Sequence, residues 1–217
     1  MTSLECNRTR IEDLEEKASF LTHAMGTVLS VIALLWLLYQ SLETNDPWKI
    51  GSGILFCTSM VLLYLASTLY HGTTDERLRA RYQVLDHAAI YGLIAGSYTP
   101  FTLVTLKESV GWMLFSIVWA IALFGVIFKL YYTGRFRLLS TGIYLMMGWL
   151  VVFAFEPIRD AIPYDGLVLI FTGGMCYTFG ALIYLLEKPL FHHAIWHLFV
   201  MAGSAFHYLA ILFYVCC

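Results

Sequence analysis

Charge is what this chain has least of. Asp, Glu, Lys and Arg together make up 13% of its 217 residues, whereas a typical soluble chain carries about 25%, so a water-soluble globular fold is excluded. The five cysteines, Cys6, Cys57, Cys176, Cys216 and Cys217, show no C-x-x-C spacing and fall in different predicted elements. That excludes both a disulfide framework and a thiolate metal site as organising devices, and the adjacent Cys216 and Cys217 are expected to be exposed at the far end. No signal peptide is expected, because the first twenty residues mix acids and bases and the apolar run behind them is long enough to stay in a bilayer. There is no low-complexity tract and no stretch that could form a second, soluble core. A net charge of -2 says little about partners, since the distribution of charge along the chain is what matters, and no nucleic-acid partner is expected.

What the chain has is apolar length: 59% of residues are hydrophobic, and the mean hydropathy is +0.72. Crossing a hydrocarbon core takes ~20 mostly apolar residues, and seven runs qualify, at 21–40, 50–70, 84–106, 112–132, 138–155, 167–186 and 192–215. In lipid each backbone amide must bond within its own segment, so each run is predicted to be an α-helix. The expected fold is an all-α integral membrane protein, a seven-transmembrane helix bundle over residues 21–217 with antiparallel neighbours. Arg8, Arg10, Lys17, Arg77, Arg79, Arg81, Lys129, Arg135, Arg137 and Lys188 fall on the side of the N-terminus, and Lys49, Lys107 and Arg159 on the other. This bias predicts a cytoplasmic N-terminus.

Residues 1–20 are the most polar stretch and form the second predicted unit, a cytoplasmic amphipathic segment. Thr9 and Glu12 have capping-box spacing, and Ile11, Leu14, Ala18 and Leu21 recur at helical intervals, which suits a short helix on the interface leading into the first span. His23, just beyond, reads as an interfacial histidine satisfied by headgroups or water. In the third run Gly92 and Gly96 form a small-xxx-small pair, and Pro100 is expected to kink the outer third. Gly173, Gly174 and Gly180 again suggest close packing. Lys129, Arg135 and Arg137 read as charges that set topology.

The chemistry is expected at the cytoplasmic end. FHHAIWHLFV opens the last run with His193 and His197 four residues apart, one turn on a single helix face. Helix two ends in STLYH, placing Ser67 and His71 one turn apart where it emerges, and helix three re-enters there with Asp86 and His87 in its first turn. All lie at one depth. Three imidazoles provide three metal ligands, and a three-ligand zinc site keeps a fourth position for water, the catalytic pattern. An acid inside a span marks a functional site; Asp86 is assigned as general base and Ser67 as a supporting hydrogen-bond donor. His207 lies on the His193 face but ~15 Å beyond His197, too far to share an ion.

At these residues the sequence also resembles a known family. The stretches S67-TLY-H71, L85-D86-H87 and H193-AIW-H197, with EEKASFLTHAMG at 15–26 and LIAGSYTPF at 93–101, are similar to the hemolysin III branch of the progestin and adipoQ receptor family, over essentially all seven helices. The resemblance implies zinc held by His71, His193 and His197, an acidic partner at Asp86 and the serine at Ser67. It also implies a multi-pass protein of a bacterial inner membrane. Relatives include the adiponectin receptors and alkaline ceramidases, which implies hydrolysis of an acyl-lipid amide or ester entering sideways from the bilayer, and a role in membrane lipid homeostasis. With almost no N-terminal domain, no hormone-receptor role is expected. Two other readings stand beside the hydrolase: a cytolytic, pore-forming protein, as the family name suggests, and a non-enzymatic lipid sensor with structural zinc. A pore should carry polar positions along its whole length, whereas the ionisable outliers cluster near one leaflet.

Overall fold

The computed structural model describes residues 3–186 and 190–216, with side chains described from Arg10 onward. Lys188 and Cys217, and the side chains of Cys6, Arg8 and Thr9, therefore lie outside the described residues. Within them the chain is entirely helical: α1 (Ser3–Glu43), α2 (Pro47–Gly72), α3 (Glu76–Pro100), α4 (Gly111–Tyr132), α5 (Arg137–Gly148), α6 (Phe155–Ala161), α7 (Tyr164–Leu186) and α8 (His192–Tyr214). Short connections carry local stop and start signals. Pro47 opens α2 behind Asp46, whose carboxylate accepts from the Trp48 amide, and Asp75 accepts from the Arg77 and Leu78 amides to cap α3.

Six helical segments are long and apolar enough to cross a membrane, Arg10–Glu43, Pro47–Gly72, Gly111–Tyr132, Arg137–Ala161, Tyr164–Leu186 and His192–Tyr214, which makes this a multi-pass membrane protein. The seventh predicted run, 84–106, falls on α3, which is not among the six. The reason is its place in the bundle: Asp86, Tyr91, Ser97, Tyr98 and Thr99 are buried against neighbouring helices, so α3 needs less apolar surface than a lipid-facing helix. The outermost helix shows the opposite pattern, since Leu21, Val28, Leu29, Ile32, Leu35 and Trp36 of α1 are all exposed. α1 packs on α2 and α8, α2 on α3, α3 on α4, and α7 on α5 and α8.

Several local expectations are refined by the structure. α1 is a single helix of 41 residues, about 60 Å long at 1.5 Å per residue, so residues 3–20 and the first span are one element, and Thr9 lies inside it rather than at its start. Pro100 lacks an amide for the α-helical ladder, and the chain passes there into a π-helical turn, Phe101–Thr105, closed by the Leu106 amide donating to the Phe101 carbonyl. The Gly92/Gly96 pair divides. A Cβ on Gly96 would lie 2.3 Å from Ser59 Oγ of α2, whereas one on Gly92 would meet nothing within 4 Å, so Gly96 alone permits the α2–α3 approach. Gly173 and Gly180 are pressed against His207 and Phe199 of α8 in the same way. Cys216 is buried rather than exposed, its thiol donating to the Lys49 carbonyl.

Candidate metal centre

The cluster is assembled by α2 and α8 and held from outside by α1. His71 lies in the last turn of α2, and His193 and His197 lie in the first two turns of α8, which Phe191 starts in a left-handed conformation (φ 60°). One ligand nitrogen from each of the three falls within 4.8 Å of the others. His71 Nε2 and His193 Nε2 are 3.2 Å apart.

The surrounding hydrogen bonds decide which nitrogen is available. Glu16 Oε2 lies 2.8 Å from His71 Nδ1; a carboxylate only accepts, so Nδ1 carries the proton and the Nε2 lone pair faces His193. Glu16 is fixed in turn by Arg79, whose Nη2 donates to Oε1 at 2.8 Å. His197 Nδ1 donates to the Ser19 carbonyl and lies equally close, 3.2 Å, to Thr22 Oγ1. Its Nε2 lone pair is thereby left for the cluster. Glu15 Oε1 accepts from the His193 backbone amide at 3.0 Å and lies 3.3 Å from His192 Nδ1.

These donors suit a metal ion. The His71 Nε2 lone pair, which can accept from a neutral His193 Nε2–H, can equally be given to a metal ion, and in a tetrahedral shell with zinc–nitrogen bonds of ~2.0–2.1 Å neighbouring nitrogens stand about 3.3 Å apart, close to the 3.2 Å of the His71–His193 pair. The carboxylate–histidine contact made by Glu16 is the support usual for a ligating imidazole. Asp86 and Ser67 complete the neighbourhood. Ser67 is fully buried one turn before His71, and Asp86, also buried, has His71, His87 and Ser67 as its polar neighbours, with the Ser67 hydroxyl the group placed to donate to its carboxylate. Asp86 is eleven residues into α3, not in its first turn, because α3 starts at Glu76. With His193 and His197 it lines a cavity of about 250 Å³ to which α1, α2, α3, α4, α5, α7 and α8 contribute.

The remaining histidines separate. His23 is not interfacial: it is 3% exposed and stacks on His197 with ring centroids 3.5 Å apart and planes 8° from parallel. His207 donates from Nε2 to the Ile170 carbonyl and lines a second, mostly apolar cavity of about 680 Å³, away from the cluster. The α1 residues Glu15, Glu16, Ser19, Thr22 and His23 are the part of the site that the sequence reading missed. The polar N-terminal segment carried the signal, but its contacts lie across up to 178 positions of chain.

Glu16→Gln tests that outer support. The amide keeps the shape and loses the charge that orients and polarises His71, so metal affinity is expected to fall by roughly 10- to 100-fold. Competition with a chelator of known affinity measures it.

Fold and cluster together define a multi-pass helical membrane protein with a buried three-histidine centre that could hold a metal ion. Residues 12–208 match the family described as Haemolysin-III related, and the chain belongs to that family, as the motifs suggested. A "Hemolysin-3 homolog" of Bacillus subtilis (strain 168) is 45% identical over 200 residues, covering 92% of this chain and 94% of the relative. "Hemolysin-3" of Bacillus cereus is 42% identical over 201 residues, covering 93% and 92%. The human "Monocyte to macrophage differentiation factor" is 28% identical over 213 residues, covering 93% of this chain and 84% of its own.

Proposed function

We propose that this protein is a zinc-dependent hydrolase of acyl-lipid amides or esters, working within a bacterial inner membrane to adjust lipid composition. The observation that carries the reading is the convergence of three imidazole nitrogens with a buried carboxyl and its serine neighbour, next to a cavity lined by that carboxyl and two of the imidazoles that runs into the apolar bundle. His71, His193 and His197 would hold the ion, which supplies Lewis-acid polarisation of a carbonyl. Asp86 takes a proton from the attacking water as its oxygen bonds to the acyl carbon, and returns it to the amine or alcohol as the C–N or C–O bond breaks. The Ser67 hydroxyl donates a hydrogen bond to the oxygen that gains charge. Leu63, Ile90 and Ile94 on the cavity wall seat the acyl chain and keep bulk water out.

Metal-replete protein in detergent is expected to release fatty acid from at least one member of a panel of acyl amides and esters. Complete inertness of a preparation with one zinc per chain overturns the hydrolase and leaves the sensor. The names of the Bacillus relatives favour a lytic protein as the second reading; dye release from vesicles by catalytically inert protein would support it.

In this reading α3 is the seventh crossing, and the site lies in the cytoplasmic leaflet. Buried Cys216 is a poor reporter of that orientation, so exposed Thr74 and Glu108 are the positions to use. Thr74→Cys is expected to react with an impermeant maleimide only after the membrane is opened, and Glu108→Cys in intact cells. The reverse pattern moves the site to the outer leaflet.

A further inference from the structure

Lys129 lies in the last turn of α4, is 2% exposed, and has no ion-pair or hydrogen-bond partner for its ammonium among the described residues. A lysine near the end of a span ordinarily extends its stem to place the charge in water. Lys129 instead lines the cavity that it shares with Asp86, His193 and His197. Setting topology requires positive charge in the flanking connection, which Arg135 already provides, and gives no reason to turn an ammonium into a cavity among the helices.

The surroundings indicate what the ammonium awaits. Arg135 and Arg137 line the same cavity. Arg137 is fixed there, its Nη2 donating to the Tyr184 and Leu185 carbonyls and its guanidinium lying 4.7 Å over the Tyr184 ring. Among the described residues three cations and one carboxyl, Asp86, line the cavity, while the deeper wall of Leu93, Ile94, Trp196 and Val200 is apolar. A cavity cationic at one end and apolar at the other matches an anionic amphiphile. A phosphate, with more charge and more acceptor oxygens than a carboxylate, suits three cations better.

We propose that this cavity binds an acyl lipid whose headgroup carries a phosphate, with the Lys129 ammonium against the phosphate oxygens and Arg135 and Arg137 supplying the rest of the field. The hydrolase reading is needed only for what then happens to the lipid; binding stands without it. The test titrates full-length, zinc-replete protein in a neutral detergent with dodecyl phosphate, zwitterionic dodecylphosphocholine and inorganic phosphate, following thermal stabilisation and native mass spectra. Wild type is expected to bind dodecyl phosphate saturably and roughly 10- to 100-fold more tightly than dodecylphosphocholine, the range a hydrogen-bonded charge contributes. Lys129→Met is expected to lose that preference with its zinc content unchanged, and Lys129→Arg to keep it. Equal affinity of wild type for the two amphiphiles, or an undiminished preference in Lys129→Met, overturns the proposal. Inorganic phosphate binding as tightly as dodecyl phosphate overturns the lipid part. If Lys129→Met does not fold, Arg135→Gln at the exposed rim must weaken dodecyl phosphate severalfold, and an unchanged affinity counts against the proposal. Anionic preference without turnover of any lipid would sink the hydrolase and leave this site, and turnover without anionic preference would do the reverse.

Discussion

Replacing any one of His71, His193 and His197 by Ala is expected to leave the purified protein without stoichiometric metal. Each imidazole is one of only three protein ligands that the cluster offers, and two nitrogens from a flexible remainder bind zinc far more weakly than three held in place. The loss should be largest for His197→Ala. Its ring is fixed by the Ser19 carbonyl and by the stack on His23, so its removal also opens a buried gap. Elemental analysis of the three variants beside wild type reads the result. One zinc per chain in all three would show that the ion, if present, sits elsewhere.

The second large effect separates an enzyme from a sensor. Asp86→Asn keeps the side chain's size and can still hydrogen-bond a water molecule, but an amide cannot accept that water's proton. Zinc content is therefore expected to stay at the wild-type level, while hydrolysis falls by the ~10²–10⁴-fold typical of losing a general base. His197→Ala should lose both together. Wild-type activity retained in Asp86→Asn would sink the proton-transfer role and leave the metal cluster standing; no turnover in wild type and an unchanged phenotype in Asp86→Asn is the pattern of a structural ion.

The parts of this site that could be read in the sequence are those encoded by helical spacing. Ser67 with His71, and His193 with His197, sit one turn apart, and a charged residue in an apolar run is conspicuous because the bilayer makes it costly. The outer support was hidden for the opposite reason: in a stretch as polar as residues 10–17, Glu15 and Glu16 look like ordinary solvated side chains. Only the packing of α1 against α2 and α8 shows that they reach His71 and His193. Lys129 was hidden differently. Its position near a helix end is where a topology charge belongs, and nothing in local sequence distinguishes an ammonium turned inward from one turned out. The helices were legible from length and apolarity, whereas the π-helical turn at Phe101–Thr105 and the 3-10 turn at Trp149–Ala154 that divides α5 from α6 have only Pro100 as a visible signal.

The pairing of α1 with α8 fixes when the centre can come into being. The contacts between these two helices join residues 175 to 178 positions apart, from the first described helix to the last. At ~5–20 residues per second, α1 spends roughly 10 to 35 s in the membrane before α8 is made, with Glu15, Ser19 and Thr22 lacking the α8 partners they have in the finished protein. No shorter nascent chain contains the three imidazoles together. Metal loading of this cluster would therefore follow synthesis of α8, and a bound ion would certify that α8 has met α1 and α2.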